Sequence, residues 1–295
     1  MTLNLVLVAP WGIWQSSDHR LIDPRTGELV DDYSIKHVSV SCADGTALIT
    51  YTGIGSVKGI HISDWLRGVL RGKSRSLDDS FILIKELATR WISPISAGKY
   101  HLVFNVGAFL TGNAWLVQIG NHQLAADWRS LPPTPEFHTS AKRIEHEPIA
   151  VISGARDAVH QKDTALLARV VRRRPKKPTD FHGLLAGINR RASEHPQQGK
   201  WITPACVTAH MPPAGEPIET KMHGWESGED RTVPIVFRGI DLTDSSQLLS
   251  ERLKATAAQT EAELEEEFQR CWEESVRRGI KGEDGSFRGN GGQVA

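Results

Sequence analysis

Thr2-Leu-Asn-Leu-Val-Leu-Val-Ala9, closed by Pro10-Trp11-Gly12, is the stretch on which the fold turns. A short apolar block bounded by a turn reads as a buried strand. It falls far short of the ~20 apolar residues a membrane helix needs, and it has neither the basic n-region nor the small-x-small cleavage site of a signal peptide. The chain is therefore expected to open on a core strand at Leu3 to Ala9, preceded by a residue that carries a hydroxyl. If Met1 is removed, which the small Thr2 permits, that residue presents a hydroxyl and a free α-amine together. One residue then supplies nucleophile and base. An α-amine titrates near pH ~7.7–8.0, so part of it is neutral at working pH and can take the hydroxyl proton directly or through one water.

Moving outward, Ile13 to Ser17, His37 to Cys42 and Ala47 to Thr52 repeat the strand signal, separated by turn residues at Pro10-Trp11-Gly12, Asp23-Pro-Arg-Thr-Gly27 and Ala43-Asp-Gly45. The period then changes. Ile62, Trp65, Leu66, Val69 and Leu70 share one helical face, and Phe81, Ile84, Leu87, Ala88 and Trp91 share another after an Asp78-Asp-Ser80 start. Strands follow at His101 to Ala108 and Trp115 to Ile119, then an irregular stretch with Pro132, Pro133 and Pro135, then a strand at Ile149 to Ser153. A second helical pair is expected at Asp163 to Arg173 and Phe181 to Arg191, split by Pro175 and Pro178, which no helix interior tolerates. Lys200 to His210 closes the pattern as a strand. Strands, two helices, strands, two helices and a strand predict packed sheets with a helical layer on each outer face.

Pro212 to Asp230 is rich in Pro, Gly and charge, and the segment 212–244 reads as a linker with one strand at Val233 to Ile240. Leu249, Leu253, Ala257, Leu264, Phe268, Trp272 and Val276 then mark an apolar stripe on a charged segment, 245–278, whose helix would be about 30 residues and roughly 45 Å long. Such a helix docks on its own domain or on another subunit. The glycine-rich tail 279–295 is expected to be disordered.

Composition excludes several classes. Across 295 residues the 35 Lys and Arg balance the 35 Asp and Glu, so no overall field recruits nucleic acid or a membrane surface. Cys42, Cys206 and Cys271 are far apart and outside C-x-x-C spacing, which argues against a disulfide framework and a structural zinc and fits a reducing cytoplasm. The histidines offer no H-x-x-x-H or H-E-x-x-H pair, so no metal or other cofactor is expected. The basic run Arg172-Arg-Arg-Pro-Lys-Lys177 reads as a solvated turn or a docking site for an acidic partner; it lacks the interleaved aromatics of a base-stacking surface.

Taken together, Thr2-Leu-Asn-Leu-Val-Leu-Val, Ser16-Ser-Asp-His-Arg20, Lys36-His-Val-Ser-Val and Thr52-Gly-Ile-Gly55 resemble the opening of proteasome β-subunits, a family of N-terminal-nucleophile (Ntn) hydrolases. The spacing from Thr2 to Asp18 equals the family's; Lys36 falls two residues late, which a longer hairpin over 23–30 absorbs. The resemblance extends to about residue 210 and implies an α+β fold, a four-layer αββα sandwich over 2–211, with the C-terminal helical extension added. It also implies roles. Thr2 is the nucleophile, Lys36 the cation beside it, Asp18 the carboxylate that holds Lys36, and Gly53 the N–H donor to the developing oxyanion; Ser153 stands beside the terminal amine. Leu21, Ser34 and Tyr51 fall where that family lines its first specificity pocket, and a tyrosine floor implies a restricted one.

The sequence departs from the pattern in the loop Ala192 to Gly199, where the family has an aspartate and a serine; here stand Ser193, Glu194 and His195, so either Glu194 substitutes or that support is lost. Leucine, not a second small polar residue, follows Thr2, and the chain reads as starting without a propeptide. The first reading is a cytoplasmic threonine-nucleophile peptidase that forms an acyl-enzyme on Thr2, acts on a peptide or protein, assembles with copies of itself and works with an ATPase or other protein partner. The alternative is a catalytically inactive interaction or assembly protein of the same fold; a third is an Ntn amidase acting on a small molecule in a closed pocket.

Overall fold

The structure, a computed structural model, describes residues 2–23, 26–96, 100–125, 130–172, 180–213, 217–224 and 233–243. It divides into a compact unit of Met1–Thr243 and a second unit of Asp244–Ala295. The helix expected at 245–278 and the tail at 279–295 lie outside the described residues, as does most of the basic run.

β1 (Leu3–Ala9) and β2 (Gly12–Asp18) form the opening hairpin; β3 (Leu21–Ile22) and β4 (Leu29–Asp31) make a small hairpin between β2 and Lys36. β5 (His37–Ser41) and β6 (Gly45–Thr52) follow, then β7 (Ser56–Val57), β8 (Ile60–His61), α1 (Ile62–Leu70), α2 (Leu77–Trp91) and the short α3 (Ser93–Ser96). Next come β9 (Val103–Leu110), β10 (Asn113–Gly120), β11 (His138–Ile144), β12 (Ile149–Gly154), α4 (Gln161–Arg172) and α5 (Asp180–Ser193). β13 (Cys206–Met211), β14 (Glu219–His223), β15 (Ile235–Phe237) and β16 (Ile240–Asp241) complete the order. One sheet runs β12-β1-β2-β13-β14 and the other β11-β10-β9-β6-β5-β15-β16.

β1 shows why its sequence is apolar at nearly every position. Leu3, Leu5 and Leu7 pack with Leu167 of α4 and Phe181, Leu185 and Ile188 of α5, while Val6 and Val8 meet Leu48 and Leu116 of the other sheet. Both faces are covered. Each fully buried Leu contributes roughly 1.5–3 kcal/mol relative to exposure. On the far side of the second sheet, Ile62, Leu66 and Val69 of α1 and Phe81, Ile84 and Ala88 of α2 close over Ile49, Phe104 and Val106. α2 starts earlier than its Asp-Asp-Ser signal, because the Ser76 side chain accepts from the Asp79 N–H and caps the helix.

The structure differs from the sequence reading at the sheet edges. β11 lies in the stretch read as irregular; it is polar and largely exposed, so only its backbone pairing with β10 defines it. In the segment read as a linker with one strand at Val233 to Ile240, β15 lies inside that strand, and the structure adds β14 at the edge of one sheet and β16 at the edge of the other. Short edge strands bury few side chains and leave little alternation to read.

A polar row interrupts the apolar interface between the sheets. Ser153, Asn4 and Ser17 are neighbours across β12, β1 and β2, and Gln118, Asn105, Thr50 and His37 are neighbours across β10, β9, β6 and β5. The Asn105 amide donates to Ser153 Oγ at 2.9 Å, Gln118 donates to Asn105 Oδ1 at 2.7 Å, and Ser17 Oγ and His37 Nδ1 share a bond of 3.0 Å. His37 is fully buried, and desolvation pushes its pKa down to about 3. A histidine held neutral in the folded state and titrating near ~6.5 when unfolded gives stability that is complete above ~6.5 and is lost as pH falls toward 3. Urea midpoints should therefore drop between pH 7 and pH 4.5, and His37→Gln should flatten that drop; parallel curves would rule out the assignment.

Candidate active site

The β1–β2 hairpin sets Asn4 opposite Ser17, which carries the start of β1 to the end of β2. There Asp18 is saturated with donors: the Leu3 N–H reaches Oδ1 at 2.8 Å, the Thr2 hydroxyl reaches the same oxygen at 3.0 Å, and the Arg20 N–H reaches Oδ2 at 3.0 Å. Lys36, one residue ahead of β5, enters from the other sheet. Its Nζ donates to Thr2 Oγ1, to Asp18 Oδ1 at 3.2 Å and to the Arg20 carbonyl at 2.6 Å. Asp18 and Lys36 are fully buried, and Thr2 is 5% exposed. A buried lysine is costly unless paired, and this one is paired three ways. Burial lowers the Lys36 pKa, with Asp18 opposing, so the ammonium gives up its proton more readily than a solvated lysine.

Arg20 holds this corner by its side chain as well. The guanidinium donates to both Asp32 oxygens, at 2.6 and 3.0 Å, and to the Lys200 carbonyl at 3.0 Å. A bidentate clamp of this kind fixes orientation as well as proximity. Sequence spacing put Arg20 in the motif without showing this role.

Thr2, Lys36 and Gly53 line one small cavity with Leu21, Tyr51, Thr52 and Gly55; it has room for little more than a water molecule. Gly53 is required on two counts: its φ is +104°, and a Cβ there would lie 2.2 Å from the His101 carbonyl oxygen. Of the residues expected to line a specificity pocket, Leu21 and Tyr51 border the cavity, while Ser34 is not among its lining residues: its hydroxyl donates to Asp31 at 2.5 Å. The Tyr51 side chain packs into the cluster under α1 and α2, its ring centroid 6.5 Å from that of Phe104, and burial raises its pKa.

Ser153, expected beside the terminal amine, accepts a hydrogen bond from Asn105 across the two sheets. The next residues hold Thr2. The Ala155 N–H donates to the Thr2 carbonyl at 2.7 Å, and a Cβ on Gly154, whose φ is +82°, would fall 1.7 Å from that oxygen. Glu194 stands outside the cluster, exposed and 3.7 Å from Arg190. Among the described residues no group of three or more His, Cys, Asp or Glu is placed to hold a metal, and no helix is long and apolar enough to cross a membrane.

No family model and no curated protein matches the sequence. Solved structures do match, and they place the chain in a class: the fold is proteasome-like, as the opening motifs implied. The particular structure that carries this is Anbu, an ancestral β-subunit, from Yersinia bercovieri, with a TM-score of 0.51 at 10% identity over 71% of this chain and 82% of that one. Anbu from Pseudomonas aeruginosa, solved as a helical assembly of the Anbu complex, gives 0.48 at 11% identity over 77% and 88% of the two chains. A Gly-1 mutant of Anbu from Hyphomicrobium sp. strain MC1 gives 0.49 at 11% identity over 75% and 87%. At these identities the likeness concerns the fold.

Proposed function

We propose that this chain is a threonine-nucleophile amidohydrolase of the Ntn class, a peptidase built on a four-layer αββα sandwich over 2–211. One observation carries the reading: the Thr2 hydroxyl is the shared partner of a fully buried lysine and a fully buried aspartate. A threonine at an ordinary chain start has no use for such a pair.

Once Met1 is removed, the Thr2 α-amine accepts the proton of Oγ1, and the Lys36 ammonium beside that oxygen favours its deprotonated form. Oγ1 attacks the substrate carbonyl carbon and its electron pair moves to the oxygen, where the Gly53 N–H stabilises the charge; one such donor is worth ~2.7–4 kcal/mol. Asp18 holds the lysine during the exchange. Collapse expels the amine, which takes the proton back, and leaves an ester on Thr2 that water hydrolyses. The substrate is a peptide or protein. The same reading implies a homo-oligomer, an ATPase or other protein partner, a cytoplasmic location and no cofactor.

The test is covalent. Protein shown by intact mass to lack Met1 is expected to react at Thr2 with an electrophile that engages a hydroxyl and an amine on one residue, and peptide mapping locates the adduct. Lack of modification under conditions that label a proteasome would end the enzyme reading. A second reading, an inactive interaction protein of the same fold, is favoured by Glu194, which stands outside the cluster where the family has a supporting aspartate. Retention of Met1 in the native protein would select it.

A further inference from the structure

We propose that Asn4 is a positioning residue that sets the Thr2 hydroxyl at its distance from the Gly53 N–H; this rests on the reading of Thr2 as nucleophile. The two groups belong to different sheets. Thr2 lies two residues before Asn4, and Gly53 two residues after Tyr51. The Asn4 side-chain amide donates to the Tyr51 carbonyl at 2.8 Å, with Asn4 fully buried and Tyr51 3% exposed. A strand advances roughly 3.3 Å per residue, so this bond crosses between the sheets within about 7 Å of each end. Gln15 makes a similar grip on the Leu48 carbonyl at 2.8 Å, farther from the cavity along β6.

The chemistry of Asn4 argues against a purely stabilising role. With the amide nitrogen on the Tyr51 carbonyl, Oδ1 is left buried without a hydrogen-bond partner among the described residues. Burying an unpaired polar atom is unfavourable. Val6 and Val8, farther along the same strand, face the other sheet as apolar residues. For packing alone an apolar side chain would serve at position 4 too. The polar one adds a directional link between the strand that carries the nucleophile and the strand that leads to the oxyanion donor.

A displacement of 1 Å can cost about a hundredfold in rate. In demethionylated protein, Asn4→Leu is expected to lower the maximal rate of Thr2 adduct formation by about that factor, with the half-saturating reagent concentration and the pH profile unchanged, since Lys36 and Asp18 are intact. Asn4→Ala should behave alike and serves if the leucine variant does not fold. A maximal rate per folded molecule within twofold of wild type, even with a lowered melting temperature, overturns the proposal. Amide exchange at Thr52 and Gly53 separates it from the parent reading. If wild type does not react at Thr2, the catalytic reading fails; faster exchange in Asn4→Leu then still upholds the link, and unchanged exchange removes it.

Discussion

Lys36→Ala is expected to slow Thr2 adduct formation by two orders of magnitude or more, and Thr2→Ala to abolish it. The lysine donates to the reacting oxygen itself, so its loss removes the charge that favours a deprotonated Oγ1. A cation beside an ionising group shifts its pKa by about 1–3 units, which is about 10–10³-fold in the deprotonated form. The variant also leaves Asp18 buried with no cation, and breaking a buried pair by removing one partner costs about 3–5 kcal/mol. Rates must therefore be normalised to folded protein. Lys36→Ala with Asp18→Asn separates the two effects: the double variant should recover stability and stay slow. Recovery of the rate along with stability would show that Lys36 supports the fold and not the chemistry.

Gly154→Ala is expected to be the most disruptive single-methyl change near the site. The added Cβ would sit 1.7 Å from the Thr2 carbonyl oxygen, the acceptor of the Ala155 N–H, and the residue would keep a φ that L side chains rarely adopt. Backbone strain of this kind costs on the order of 1–3 kcal/mol, and the clash cannot relax without moving Thr2. Loss of adduct formation together with a lowered urea midpoint is the expected result. Gly59→Ala is the control, because it has a similar positive φ but nothing within 4 Å of the added atom. If both variants behave alike, φ strain alone is responsible and Gly154 has no special bearing on Thr2.

Much of this architecture was legible because it is written in period and burial. β1 reads as a strand since both its faces are covered, and α1 and α2 read as helices since only one face of each is. The resemblance to proteasome β-subunits singled out Thr2, Asp18, Lys36 and Gly53; the Thr2 hydroxyl meets Asp18 and Lys36, and Gly53 lines the same cavity as Thr2 and Lys36. What escaped depends on pairing across the chain. β11, β14 and β16 are edge strands with weak patterns. The bond that Ser153 accepts from Asn105 on the facing sheet could not be read from the sequence either. Asn4 is polar in an apolar block, and its partner, the Tyr51 carbonyl, lies far along the sequence.

One ligand of the Lys36 ammonium is a main-chain oxygen, that of Arg20. No substitution can delete a peptide carbonyl, so this part of the site is inherited with the backbone path and is open to mutation only indirectly, through the grip of Arg20 on Asp32. That grip closes the base of the β3–β4 hairpin, between residues 20 and 32. Lengthening a closed loop costs little, about 0.6 kcal/mol per doubling. A change of length between residues 20 and 32 is thus expected to leave the lysine that follows in its place.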